Sequence, residues 1–144
     1  MVKNFGQLSS GETAHLYSLM TDMLRICVTD FGGTLVSVEV KDKSGKFVDI
    51  TLGYDDVAGY ENDNDCFGFN IGRNANRISN AQFTLNNIKY VLAKNDGENN
   101  LHSGPHLFSK RMWHVTEYRD DSIIFEIESL HLDQGFPGNA KFYI

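Results

Sequence analysis

The chain has 144 residues and a formal net charge of −6 at pH 7, and its 13 basic residues are scattered. A chain of roughly 150 residues buries about two-thirds of the surface that its unfolded form exposes, so one domain or part of one is expected. Scattered basic residues and a negative net charge argue against a surface that binds nucleic acid. Neither a signal peptide nor a run of roughly 18 apolar residues is present. We expect a cytoplasmic protein with neither nucleic-acid nor membrane partners.

The two cysteines point to a reducing environment. Cys27 lies in an apolar strand pattern and Cys66 precedes Phe67, and no CxxC spacing is present. Both are therefore expected to be reduced rather than joined in a disulfide or a metal site.

Apolar residues alternate with polar ones in the N-terminal third, as strands with one buried face require. A turn at 42–45 separates the last two of three such segments. Their apolar faces are Leu24, Ile26 and Val28, then Val36, Val38 and Val40, then Val48, Ile50 and Leu52 within residues 47–52. The pattern predicts a β-meander.

Two hairpins are predicted farther along the chain. Residues 83–85 and 88–90 flank Asn86 and Asn87, which tolerate the positive φ of a tight turn. Residues 112–118 and 122–130 flank a polar turn, and Ile123, Phe125 and Ile127 are expected to point inward. There is no long amphipathic helix. Many short strands predict an all-β antiparallel sandwich, with function carried on long loops at about 54–82 and 94–111.

Two polar turns beside strand-like sequence stand out as a candidate site. Arg77 ends the run Gly-Arg-Asn-Ala-Asn-Arg, and His102 lies in Asn-Asn-Leu-His-Ser-Gly. A fixed guanidinium and a titratable imidazole on a β-scaffold suit a neutral ligand rich in hydroxyl groups. A sugar is the first hypothesis.

The segments GRNANRIS, AQFTLNNIKYVL, NDGENNLHSGPHLFSKRMWHV and LDQGFPGNAKF follow one another along the chain. In this order and spacing the chain resembles the N-terminal half of the aldose 1-epimerase (galactose mutarotase) family. The resemblance implies a galactose mutarotase-like β-sandwich that interconverts the α and β anomers of free hexoses such as galactose or glucose, without a metal or cofactor. It also implies a domain about twice as long as this chain.

The end of the sequence agrees with that implication. Residues 140–144 begin a strand pattern and stop on the apolar Ile144 without a turn or polar tail. We therefore expect residues 1–144 to be the N-terminal part of a single β-sandwich domain. A terminal edge strand is the alternative.

Anomer exchange requires a base for the proton of the C1 hydroxyl and an acid for the ring oxygen. The resemblance places the general base, a Glu, and the general acid, a second His, beyond Ile144. The residues that it assigns to this chain are Asn76, Arg77 and His102, which would bind the sugar, with His102 also polarising or positioning it. Alternatively, Arg77 is solvated or paired with a carboxylate, and His102 is a hydrogen-bonded loop residue.

Other residues are expected to be structural. His106 lies four residues after His102, but Pro105 opposes the helix that such a metal-binding spacing requires, so no metal is expected. Arg73 is expected to anchor its own loop, and Trp113 to pack in the core rather than stack on a sugar. The remaining structural assignments are His15, His114 and His131 as surface or strand residues, and residues 136–138 as a turn near the pocket.

The chain also departs from the family pattern. Residues 130–134 lack the family's common Pro-Asp-Gly, which puts the shape of that loop in doubt. Asn70, Asn74 and the Asn-rich loop from Asp63 are individual features that bear on sugar preference.

Three functions remain open. The chain is part of a mutarotase, a non-catalytic carbohydrate-binding module, or a structural half that needs a partner. Free sheet edges recruit other chains, so the isolated chain is expected to be poorly stable or self-associated.

Overall fold

A computed structural model describes residues 1–62 and 65–144. The N-terminal residues form one antiparallel sheet in which each strand pairs with the next. Its strands are β1 (Val2–Gln7), β2 (Thr13–Met20), β3 (Leu24–Thr29), β4 (Thr34–Lys41) and β5 (Phe47–Asp49). The meander predicted from the sequence is therefore confirmed, whereas the first residues of the predicted loop from Asp63 lie outside the described residues.

The rest of the chain adds a short helix, a second sheet and two small ladders. The elements are α1 (Val57–Asn62), β6 (Arg77–Ile78), β7 (Gln82–Leu85), β8 (Ile88–Val91), β9 (Asn100–Leu101), β10 (His114–Tyr118), β11 (Ile123–Ser129) and β12 (Ala140–Tyr143). Strands β10, β11 and β12 form a sheet in that order, β6 pairs with β9, and β7 pairs with β8. Every strand pair among the described residues is antiparallel.

The five-stranded sheet buries apolar side chains on both faces. Consecutive residues of a strand point to opposite faces, so Cys27 and Val28 of β3 contact different layers. Cys27 packs in the cluster of Phe5, Leu16, Val36, Val57 and Tyr60, so α1 covers that face. Val28 packs with Tyr17 against Phe108, Trp113, Phe125 and Ile127, which joins the five-stranded sheet to the three-stranded one. The two sheets therefore form a sandwich.

Two sequence-based expectations for the first sheet need correction. The sequence did not predict strands β1 and β2. In β1 only Phe5 is buried, and Gly6 interrupts the alternation at a register shift. Residues 47–52 do not form one strand with a buried face, since β5 ends at Asp49. Val48, Ile50 and Leu52 are exposed, because β5 is an edge strand that no second layer covers.

The local hairpin predictions are confirmed. Asn86 and Asn87 have φ values of 51° and 61°, as a tight turn between β7 and β8 requires. Phe125 and Ile127 are buried and Ile123 packs against them. Trp113 is a core residue whose indole N–H donates to the carbonyl of Phe108 at 2.9 Å.

Cys27 and Cys66 are not joined in a disulfide. Helices long and apolar enough to cross a membrane are absent from the described residues. The cytoplasmic location stays a prediction.

Because one face of β11 packs against the other sheet, we predict that two neighbouring residues of this strand differ in their contribution to the free energy of unfolding. Phe125 is 2% exposed, whereas Ile124 is 37% exposed. We expect Phe125→Ala to lower the free energy of unfolding by about 3–5 kcal/mol, through lost burial and the cavity left behind. Ile124→Ala is the control and should cost less than about 1 kcal/mol. Urea denaturation measures both, and equal losses would contradict the sandwich described here.

Candidate functional site

The two candidate turns lie side by side because β6 and β9 pair. Arg77 is the register partner of Leu101, and Ile78 is that of Asn100. Arg77 therefore begins one strand of the ladder, and His102 follows directly after the other. Two turns that lie about 25 residues apart in sequence become one surface.

Asn76 and His102 exchange two hydrogen bonds at this surface. The His102 N–H donates to the Asn76 carbonyl, and the Asn76 N–H donates to His102 Nδ1, each at 3.0 Å. Both residues have left-handed backbones, with φ of 64° at Asn76 and 55° at His102. Asn and His are the side chains that tolerate this region better than most. The exchange fixes the imidazole ring relative to the turn that carries Arg77.

This exchange also determines which nitrogen of the neutral His102 ring carries the proton. Because Nδ1 accepts a hydrogen bond, Nε2 must carry the hydrogen. His102 lines a cavity of about 170 Å³ whose other walls include Phe69, Leu107 and Lys110. An N–H donor at the wall of a partly apolar cavity suits an oxygen atom of a sugar.

Arg77, the register partner of the cavity-lining Leu101, pairs with a carboxylate. Its Nε donates to Asp96 Oδ2 at 2.6 Å, and Nη1 lies 3.4 Å from Asn76 Oδ1. The Arg77 side chain remains 55% exposed. The carboxylate pairing that the sequence left open is therefore present, and a sugar contact by Arg77 stays a prediction.

The Asn95 amide and the Ser103 hydroxyl hold the backbone near His102. Asn95 Oδ1 accepts from the Leu101 N–H at 2.6 Å, and Asn95 Nδ2 donates to the Leu101 carbonyl at 2.9 Å. A Cβ on Gly104 would lie 2.2 Å from Asn95 Nδ2, so the glycine permits this close approach. Ser103 Oγ accepts from the Asn74 N–H and donates to its carbonyl. The two turns are thus linked on both sides of the Asn76–His102 exchange.

Arg73 connects the turn of Asn76 and Arg77 to the end of β11 and the segment before β12. Its guanidinium makes hydrogen bonds of 2.8–2.9 Å to the hydroxyl of Ser129 and to the carbonyls of Ser129, Leu130, Pro137 and Gly138. Burial lowers the pKa of Arg73, and the nearby Asp133 opposes that effect. Arg73 does anchor its loop, but to the β11–β12 connection rather than within the loop itself.

Asp133 completes this buried polar cluster. It accepts two hydrogen bonds from Arg111, at 2.7 and 2.9 Å, and one from Ser129 Oγ at 2.6 Å. Hydrogen bonding from Arg111 is the main cause that lowers the pKa of Asp133, with Ser129 adding to it against the effect of burial. Residues 130–134, which lack the family's common sequence, are therefore held by charged hydrogen bonds.

Other singled-out residues are structural. Asn70 Nδ2 donates to the Gly33 carbonyl, His131 Nδ1 accepts from the Gly138 N–H, and Phe136 packs in a small core with Ala81 and Leu92. The backbone carbonyl of His106 accepts from Arg111 and Gln134. Clusters of three or more potential metal ligands are absent from residues 1–62 and 65–144.

Two charged contacts were missed by the sequence analysis. His15, on β2, donates through its backbone N–H to Asp30 Oδ1 at 2.8 Å, and its Nδ1 lies 2.9 Å from Asp30 Oδ2. Burial, together with the charge of Asp30, raises the pKa of Tyr17 to about 12. The other missed contact is that of Asp96 with Arg77, and its only signal was an acidic residue beside the His102 turn.

Comparison with known proteins identifies relatives of this chain. A sequence model of the family described as Aldose 1-epimerase matches residues 15–144. Galactose mutarotase from Bos taurus is 36% identical over 141 residues, which cover 97% of this chain and 41% of that protein. Aldose 1-epimerase from Escherichia coli K12 is 35% identical over 114 residues, or 79% of this chain and 33% of the relative.

Solved structures resemble the fold. An aldose epimerase homologue from C. elegans matches 90% of this chain and 40% of its own with a TM-score of 0.85 at 31% identity. Galactose 1-epimerase from Lactobacillus acidophilus matches 99% of this chain and 42% of its own with a TM-score of 0.83, and at 20% identity it supports the fold alone. The predicted mutarotase-like sandwich is confirmed. This chain spans about two-fifths of the length of the relatives it matches.

The Arg111–Asp133 pair predicts a pH-dependent contribution to stability. The pKa of Asp133 is lower in the folded state than its ordinary value of 3.8. The pair therefore stabilises the fold at pH values above 3.8. That stabilisation is lost as the pH falls through the lowered pKa. Asp133→Asn should therefore lower the free energy of unfolding by about 2 kcal/mol at pH 7, and the deficit should shrink below pH 3.8.

Urea denaturation at pH 7 and at about pH 3 measures the change. Asp121→Asn, in the exposed turn between β10 and β11, is the control and should have little effect at either pH. A deficit of equal size at both pH values would show that the carboxylate charge of Asp133 is not what stabilises this cluster.

Proposed function

This chain belongs to the aldose 1-epimerase family, and from that premise we propose that it supplies the sugar-binding side of a mutarotase site. The reaction is the interconversion of the α and β anomers of a free aldohexose such as galactose or glucose. The observation that carries the proposal is the Asn76–His102 exchange, which leaves the Nε2–H of His102 as a donor and joins His102 to the residue next to Arg77.

The charge of the site favours a neutral ligand. The positive charge of Arg77 is offset by Asp96, so a sugar phosphate gains less here than it would at an unpaired guanidinium. The guanidinium retains donors for hydroxyl oxygens, because Asp96 receives the hydrogen bond of Nε alone. Arg77 would bind sugar hydroxyls, and His102 would donate to the ring oxygen or to a neighbouring hydroxyl. Asn76 would hold both side chains in place and offer its own amide.

The acid and the base must come from elsewhere. Ring opening needs a proton taken from the C1 hydroxyl and a proton delivered to the ring oxygen. Among the described residues, no hydrogen bond joins His102 to a carboxylate or to a second imidazole. We propose that both groups come from a segment equivalent to the part of the relatives that this chain does not span. No metal or cofactor enters this scheme.

The same observation supports a second candidate, a carbohydrate-binding module without catalysis. Asn76, Arg77 and His102 can hold a sugar without an acid and a base. A third possibility is a structural half that needs a partner. It is favoured by the edge strand β12, where Tyr143 is 57% exposed and Ile144, beyond its end, is 44% exposed. Self-association through such an edge stays a prediction.

Arg77→Ala and His102→Asn test the catalytic proposal. Asn is chosen at residue 102 because it accepts the left-handed backbone but cannot place a donor where Nε2–H stands. In the complete epimerase domain, each variant should lower kcat/KM for mutarotation of fresh α-galactose or α-glucose by about 10- to 100-fold, through lost positioning of the sugar. Polarimetry measures the rate.

His114→Ala is the matched control, because His114 is an exposed imidazole on β10, which belongs to the three-stranded sheet and not to the β6–β9 ladder. Its kinetics should match those of the unsubstituted domain. Unchanged kinetics in both Arg77→Ala and His102→Asn would reject the site. Sugar binding without anomer exchange in the complete domain would favour the binding module instead.

A further inference from the structure

Asp96 is the acidic residue that pairs with Arg77 of the candidate sugar site, and the function proposed above leaves it without a role toward the ligand. Its Oδ2 accepts from Arg77 Nε at 2.6 Å. No hydrogen bond to the other carboxylate oxygen, Oδ1, is found among residues 1–62 and 65–144. The side chain of Asp96 is 33% exposed. One oxygen of this carboxylate is thus engaged by Arg77 while the other is available.

The loop holds Asp96 at a fixed position. Its backbone forms an antiparallel bridge with Asn99, with hydrogen bonds of 3.2 and 2.9 Å. The neighbouring Asn95 is bound to both backbone groups of Leu101, immediately before His102. Glu98, two residues along, pairs with Lys94 and points its charge to a different partner. Asp96 is therefore the carboxylate that this loop presents at Arg77.

A guanidinium beside a carboxylate is matched to a pair of adjacent hydroxyl groups. An Arg offers only donors and an ionised Asp offers only acceptors, whereas each sugar hydroxyl both donates and accepts. One hydroxyl can accept from Arg77 while its neighbour donates to Asp96. A charged acceptor makes a stronger hydrogen bond than a neutral one.

We propose that Asp96 contacts the sugar directly, with Oδ1 accepting from the hydroxyl next to the one that Arg77 binds; His102→Asn is tested beside Arg77→Ala. This inference rests on the proposed function. It narrows the ligand to a hexose that presents two adjacent free hydroxyl groups to this pair, and it makes Asp96 a residue that determines specificity.

Binding of deoxy sugars tests the contact. Dissociation constants are measured by NMR titration of the complete epimerase domain that contains this chain, with D-galactose, D-glucose and their 2-, 3-, 4- and 6-deoxy derivatives. The proteins carry the unsubstituted chain, Asp96→Ala, Arg77→Ala, His102→Asn, or the matched control Glu98→Ala from the same loop. For the unsubstituted chain, removal of the hydroxyl that Asp96 binds should weaken affinity by about tenfold.

In Asp96→Ala that one penalty should disappear while the penalties at the other hydroxyls remain, because the double change removes both partners of a single bond. In Glu98→Ala the whole pattern should be retained. A uniform loss across all sugars in Asp96→Ala would overturn the inference, because Asp96 would then act only by holding Arg77. An unchanged pattern in Asp96→Ala would overturn it as well.

The two proposals fail in different ways. If the unsubstituted chain binds none of these sugars, or if Arg77→Ala and His102→Asn bind them as well as it does, the proposed function fails and the inference fails with it. If those two variants lose affinity while the deoxy-sugar pattern of Asp96→Ala stays that of the unsubstituted chain, only the assignment of Asp96 is overturned.

Discussion

The guanidinium of Arg73 holds the candidate site to the rest of the sandwich. Its hydrogen bonds span from the turn before Asn76 to the end of β11 and the start of the β12 segment. A planar fork with five donors can satisfy more carbonyls at once than the three donors of a lysine. Asp133 lies in the same cluster and partly balances the charge of the desolvated Arg73, whereas the positive charge of Arg111 opposes that effect. These hydrogen bonds therefore hold the turn that carries Asn76 and Arg77 against the three-stranded sheet.

Rigidity at this point has a functional consequence. Asn76, His102 and Ser103 all have left-handed backbones, which cost energy unless the surroundings hold them. The surroundings here are the bonds between Asn74 and Ser103 and between Asn95 and Leu101. A neutral sugar offers weak hydrogen bonds, so a site that is already ordered loses less on binding. These strained turns and the hydrogen bonds that hold them make the candidate site preorganised.

The sequence was most informative where structure is local. The turn at Asn86 and Asn87 was predictable because two adjacent residues determine it, and Phe125 because its strand alternates cleanly. The proximity of Asn76 and His102 depends on a ladder of two residues per strand, which leaves no periodic signal, so only the resemblance indicated it. The contact of Asp96 with Arg77 crosses 19 positions and has no local pattern at all. The prediction of a buried face for residues 47–52 was wrong, because edge strands and central strands show the same alternation of apolar and polar residues.

A crystal structure of this chain with D-galactose is the most direct test of the claim that the chain carries the sugar-binding side of an epimerase site. The account predicts a sugar seated against Asn76, Arg77 and the Nε2 of His102, in the cavity that Leu107 and Lys110 help to line. Galactose bound instead in the separate cavity of about 400 Å³ beside Glu39 and Asp49 would contradict it.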